Sequence, residues 1–243
     1  MSIEDIEPAQ DTLPAPQKTS SRPGVLRAEV WLTVHTRQAQ LLIHGRKGTR
    51  LKPTIVGLLG FAERLRVIWD GARADDPWAD WWLIKVCDAI EATRACIVAH
   101  MAELDRLLAV PGTGMEVTLV ESQRPARTRL QFANPYAYQG AQLLSQYDAL
   151  ACRVLTANRI GLLDNATRND VLTDCARKLR AIYMIPRSYR FTGVDRSALL
   201  AGKGTIRTAC WTMGEVPDAV LHGERLPALA PRKSGAPANT ATI

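Results

Sequence analysis

No stretch of the chain approaches the roughly 18 to 20 consecutive apolar residues that a helix needs to cross a bilayer, so a membrane-spanning reading is excluded at the level of sequence. The opening residues, MSIEDIEPAQD, are acidic where a secretory leader would be basic and then apolar, which predicts a protein that stays in the cytoplasm. The five cysteines (Cys87, Cys96, Cys152, Cys175, Cys210) are odd in number and contain no C-x-x-C pair. They read as reduced, buried thiols in a reducing compartment. Neither H-x-x-x-H nor a His/Cys cluster occurs along the sequence among four histidines, so no metal is expected.

Enzyme signatures are missing too. There is no G-x-S-x-G and no G-x-G-x-x-G, and Gly202-Lys203-Gly204-Thr205 lacks the upstream glycine of a phosphate loop and reads as a turn. Asp76 and Asp80 fall one helical turn apart, but no histidine accompanies them. Acids at a helix start cap free amides and meet the positive end of the helix dipole, so both are assigned to structure. The expectation is a binding protein with no cofactor and no catalytic residue.

What the chain does have is a foldable middle and a positive charge. Hydrophobic residues make up 47% of 243, enough for a sizeable core, and 31 basic against 24 acidic residues give a net charge of +7. Residues 1–24 carry Glu4, Asp5, Glu7 and Asp11 against Lys18 and Arg22, so the remainder stands at +9. A surplus of that size favours polyanionic partners, double-stranded DNA first among them. Prolines at both ends (Pro8, Pro14, Pro16, Pro23; Pro227, Pro231, Pro237) predict flexible tails over 1–24 and 227–243, leaving one domain over 25–226.

Period-two alternation over Leu26–His35 predicts a half-buried strand, after which Thr36 caps a short helix that Gly45 ends. A basic loop (Arg46, Lys47, Arg50, Lys52) precedes a helix with apolar positions from Ile55 to Trp69. Asp76-Pro77, an N-cap followed by an N1 proline, starts a helix of about 30 residues to Pro111 that serves as the spine of the fold, with Trp78, Trp81, Trp82 and Trp69 as core anchors. Two short strands, Glu116–Glu121 and Arg127–Phe132, are predicted to pair as a β-hairpin through a polar turn containing Arg124 and Pro125. Helices follow over Asn134–Asn158, Thr167–Met184 and, more weakly, Arg196–Met213. The fold class is therefore α+β and predominantly helical.

The strand Arg127–Phe132 carries the most specific signal. Its pleat puts Arg127, Arg129 and Gln131 on one face and Thr128, Leu130 and Phe132 on the other, so one face can read bases while the other packs. Arginine and glutamine offer the bidentate geometry that guanine and adenine edges need, and a two-stranded ribbon fits the major groove. A solvated edge strand with protective arginines is the competing reading. A second basic set, Arg177, Lys178, Arg180 and Arg190 with Arg168 and Arg187, is a candidate for phosphate contacts. Strand followed by two helices is the element order of a ribbon-helix-helix reader, which implies a homodimer.

Four blocks carry a family likeness. They are Glu29-Val30-Trp31-Leu32-Thr33 with Thr36-Arg37-Gln38-Ala39-Gln40, Gly60-Phe61-Ala62 with Arg64-Leu65-Arg66-Val67-Ile68-Trp69, Asp75-Asp76-Pro77 with Ala79-Asp80-Trp81-Trp82, and Leu130-Gln131-Phe132 with Asn134-Pro135-Tyr136. Over residues 25–226 the sequence resembles the integrating-conjugative-element proteins related to AcaB. The resemblance implies a protein of a bacterial mobile element, and through AcaB a transcriptional activator of conjugation genes with ribbon-helix-helix character. The expected function is thus a DNA-binding accessory or regulatory protein of such an element. The alternative is a structural component of the conjugative transfer machinery that meets other machinery proteins without touching DNA.

Overall fold

The computed structural model describes residues 29–50, 53–109, 116–202 and 206–231. Strand β1 (Val30–Val34) is followed by α1 (Arg37–His44), the two-residue strands β2 (Gly45–Arg46) and β3 (Ile55–Val56), α2 (Leu58–Arg73) and α3 (Pro77–Leu108). Then come β4 (Ala126–Leu130), α4 (Pro135–Arg159), α5 (Asn165–Met184), a 3-10 turn Ile185–Ser188, and three short helices α6 (Arg196–Leu200), α7 (Ile206–Met213) and α8 (Asp218–Leu221). Helices dominate, as the periodicity predicts. The N-terminal tail expected over 1–24 and most of the C-terminal one lie outside the described residues, as do Arg27, Lys52 and Lys203–Thr205 of the turn at Gly202.

Local chemistry sets the helix starts. Thr36, Asp76, Asn134, Asp164 and Asp195 each accept a hydrogen bond from a backbone N–H of the first turn, and Pro77 and Pro135 open α3 and α4 with the φ that a first turn requires. Gly45 ends α1 at a φ of 69°, which a side chain rarely tolerates. The spine is a layer of α3 and α4 packed along each other, with α2 and α5 against both. Their shared core holds Phe61, Leu65, Leu83, Ile90, Leu144, Tyr147, Leu179 and Tyr183. Gly140 lets α4 approach α2 closely, since a Cβ there would lie 2.7 Å from the Phe61 ring.

Two expectations are corrected. Residues 116–125 form no strand, so the hairpin of Glu116–Glu121 with Arg127–Phe132 does not exist. Instead β4 pairs antiparallel with β1, in the register Trp31↔Arg129 and Thr33↔Arg127. The long-range pairing turns Leu32, Val34 and Leu130 together into the core, whereas Leu119 of the expected partner strand is exposed. That segment finds other partners: the Val120 N–H donates to Thr156 Oγ1 at 2.9 Å and the Ser122 N–H to His35 Nδ1 at 3.3 Å. Likewise Arg196–Met213 is two helices, α6 and α7.

The acids at the head of α3 are structural, and they do more than cap. Asp76 Oδ1 accepts from the Trp78 and Ala79 amides while Oδ2 accepts from the Tyr189 hydroxyl at 2.7 Å. Burial pushes the Asp76 carboxyl above its usual range, and the Tyr189 hydroxyl works in the opposite direction. Arg196 donates to Asp80 at 2.5 Å and to Asp75 at 3.2 Å, and also to the carbonyls of Val220 and Leu221. One guanidinium thereby ties α3, α6 and α8 together. Trp78 and Trp82 donate their indole N–H to the carbonyls of Gly214 and Ile185, so the tryptophans are core anchors, as expected.

Removing one member of a buried ion pair strands the other. Asp80→Asn and Arg196→Met are each expected to cost about 3 to 5 kcal/mol in urea unfolding, and the double variant less than the sum of the two. Additive losses would mean that the pair does not act as a unit.

Candidate nucleic-acid interface

The outward face of the β1–β4 sheet carries Trp31 and Thr33 from one strand and Arg127 and Arg129 from the other. The face is organised by its own side chains. Arg129 Nη2 meets Glu29 Oε1 at 2.8 Å, the Trp31 indole N–H donates to Glu29 Oε2 at 3.3 Å, and the Arg127 guanidinium lies 4.5 Å from the centre of the Trp31 ring. Both arginines are thus held extended by weak, exposed contacts that a stronger polyanionic acceptor can replace. Gln131 lies just past the strand end and is also exposed, and Arg124 sits exposed in the turn that leads into β4.

The position of this face follows from β1. Asp148, buried in the middle of α4, accepts from the His35 amide at 2.6 Å and from the Thr36 amide and hydroxyl at 2.9 and 2.6 Å. That clamp fixes where the strand leaves the sheet and α1 begins.

Beyond β4 the surface meets α2. A cavity of about 590 Å³ is lined by Arg129, Gln131 and Phe132 on the strand side and by Leu59, Glu63 and Arg66 on the helix side. Glu63 also lines a second cavity, of about 340 Å³, together with Arg64 of α2 and His44, Arg46 and Lys47 of the β2–β3 hairpin. Arg46 and Lys47 of the basic loop seen in the sequence thus belong to a true hairpin, in which the Gly48 amide donates to Thr54 Oγ1 at 3.1 Å. The short strands Gly45–Arg46 and Ile55–Val56 left no periodic signal from which it could be read.

The second basic set is less available. Lys178 Nζ lies 2.6 Å from Asp174 Oδ2 and 3.1 Å from Cys96 Sγ, and Arg177 lies 3.5 Å from Asp174. Arg190 donates to the carbonyls of Arg187 and Tyr189 at 2.8 Å, and Arg180 is half-buried. The fold does not join these residues to the β4 face through any cavity or contact described. It does bring together a group that sequence reading missed, because the expectation of no His/Cys cluster considered only neighbours along the chain. Cys96 and His100 of α3 meet Cys175 of α5, with their candidate ligand atoms all within 4.8 Å of one another. The spacing Cys96-x-x-x-His100, one helical turn on one face, was the available signal.

Against this geometry stand the comparisons with known proteins. The fold resembles that in the crystal structure of selenomethionine-containing AcaB from uropathogenic E. coli. The similarity has a TM-score of 0.54 at 17% sequence identity, over 81% of this chain and 95% of that one. The family model described as transcriptional regulator AcaB matches residues 22–233, and the chain belongs to that family. No curated protein matches the sequence. Among the described residues no helix is long and apolar enough to cross a membrane.

The ion pair on the β4 face is exposed, with side chains about half accessible (48% and 56%), so it contributes little to stability. Glu29→Gln and Arg129→Ala are expected to move the urea midpoint by less than about 1 kcal/mol equivalent. Asp148→Ala, which leaves three donors without an acceptor, is expected to cost about 2 to 3 kcal/mol in the same measurement. Equal losses for all three variants would contradict this division between scaffold and surface.

Proposed function

We propose that the protein is a DNA-binding transcriptional regulator of an integrating conjugative element, acting in the cytoplasm as a homodimer, with no catalytic role. Membership of the AcaB regulator family supports the regulatory part of this reading. The observation that carries the DNA part is the placing of basic residues side by side: Arg129, next to Arg127 on the exposed face of β4, shares a cavity with Gln131 and with Arg66 of α2, and Arg64 of α2 shares a second cavity with the hairpin residues Arg46 and Lys47.

In this reading Arg127, Arg129 and Gln131 address base edges, with Arg124 beside them at the entry to β4. The α2 and hairpin cations hold phosphates and set register on the duplex. Arg177, Lys178, Arg180 and Arg190 are retained as a secondary phosphate set, to be tested beside the first. The order β4–α4–α5 keeps the strand-helix-helix sequence of a ribbon-helix-helix reader, although β4 already has β1 as a partner in the same chain. Dimerisation would then use the strand edges that the two-stranded sheet leaves open among the described residues. Light scattering is expected to give a dimer at micromolar concentration; a strict monomer both free and on DNA would remove the ribbon-helix-helix version.

A second reading, a component of the conjugative transfer machinery that binds other proteins, has one observation in its favour. Trp211 on α7 is 92% exposed, with Phe191 and Leu200 exposed before it in the same C-terminal third. Binding of element DNA and of shuffled DNA at several salt concentrations separates the two. Alanine at Arg127, Arg129 or Gln131 should cost about 1 to 3 kcal/mol on element DNA and flatten base preference. Alanine at Arg66, Arg46 or Lys47 should weaken both DNAs and lower the slope of log K against log salt by about 0.9 per lost contact. Binding that ignores salt and all of these variants would overturn the DNA reading in favour of the machinery one.

A further inference from the structure

We propose that Cys96, His100 and Cys175 form a binding site for a thiophilic divalent metal ion, zinc above others, that staples α3 to α5. The three residues offer two sulfurs and one imidazole, the donor set that zinc prefers over hard cations. Cys96 and His100 lie one helical turn apart and therefore point from the same face of α3, and Cys175 comes from the facing helix, fully buried. The candidate ligand atoms all lie within 4.8 Å of one another. A tetrahedral zinc with bonds of about 2.3 Å to sulfur and 2.0 to 2.1 Å to nitrogen asks for ligand separations of roughly 3.5 to 3.8 Å. Binding therefore draws the three ligand atoms closer together than they lie in the metal-free chain.

One neighbour competes with the ion: Lys178 Nζ stands 3.1 Å from Cys96 Sγ and 2.6 Å from Asp174 Oδ2. Lys178 is partly exposed, and its flexible stem lets the ammonium swing out as the ion enters. Asp174 stays paired with Arg177, and water fills the fourth position of the ion. On binding, the two thiols give their protons to solvent, so two protons leave for each ion, and His100 ligates as the neutral imidazole.

The test uses the full chain, stripped of metal and kept reduced with a phosphine. Titration with cobalt(II) is expected to show one ion per chain, with the visible bands of tetrahedral cobalt and a thiolate charge-transfer band, both erased by one equivalent of zinc. Cys96→Ser and His100→Gln, at half-buried positions where folding is expected to survive, should each abolish the tetrahedral spectrum while circular dichroism stays unchanged. Lys178→Met should instead tighten zinc by about tenfold, because it removes a competing charge from the site. Zinc should raise the thermal midpoint of the parent chain and leave that of Cys96→Ser unmoved. The proposal is overturned by the absence of a tetrahedral spectrum, by an identical spectrum in folded Cys96→Ser, or by mass spectrometry that finds Cys96 and Cys175 joined as a disulfide in native protein free of metal.

Discussion

A single buried carboxylate decides where the surface chemistry of this protein stands. Asp148 projects from α4 and takes three hydrogen bonds from the His35–Thr36 corner, where β1 ends and α1 begins. With that corner pinned to the helical spine, Leu32 and Val34 can point only inward. The opposite faces of the pleat, Trp31 and Thr33, are then presented to solvent. β4 follows in register, and its arginines arrive beside the tryptophan and glutamate of β1. A carboxylate so placed is costly to bury unless its oxygens are hydrogen-bonded, and the three donors meet that need, which makes the corner rigid.

The other end of the molecule is held on the same principle. Asp76 and Asp80 at the head of α3 serve Tyr189 and Arg196, and through Arg196 the carbonyls of α8. Buried acids in the scaffold and an aromatic and aliphatic core leave the exposed basic residues of α2, β4 and the β2–β3 hairpin on the surface, held only by exposed contacts such as Arg129 with Glu29. Stability and recognition are separated: the buried acids serve the scaffold, and the exposed cations remain available to a polyanion.

Much of the helical scaffold was legible because helix starts are local events. Thr36, Asp76-Pro77 and Asn134-Pro135 announce their helices within a few residues, and the 3.6-residue period does the rest. The strand faces were legible for a similar reason, since Arg127, Arg129 and Leu130 alternate whatever the partner is. The partner itself was not. The pairing of β1 with β4 is decided by which strand completes a buried layer across about a hundred residues, and no local pattern encodes that contest. The same limit hid the Cys96–His100–Cys175 group, two-thirds of which sits on one helix turn while the last ligand comes from a neighbouring helix. The basic hairpin at Arg46–Lys47 was visible as charge and invisible as structure, its strands being two residues long.

The account stands or falls on which surface meets DNA. Amide hydrogen exchange of the full chain, with and without element DNA, measures this directly. The account predicts new protection over 126–131 and 45–56 and on the exposed turns of α2, with the core of α3 and α4 unchanged. Protection confined to 191–226, or no change anywhere on addition of DNA, would contradict it.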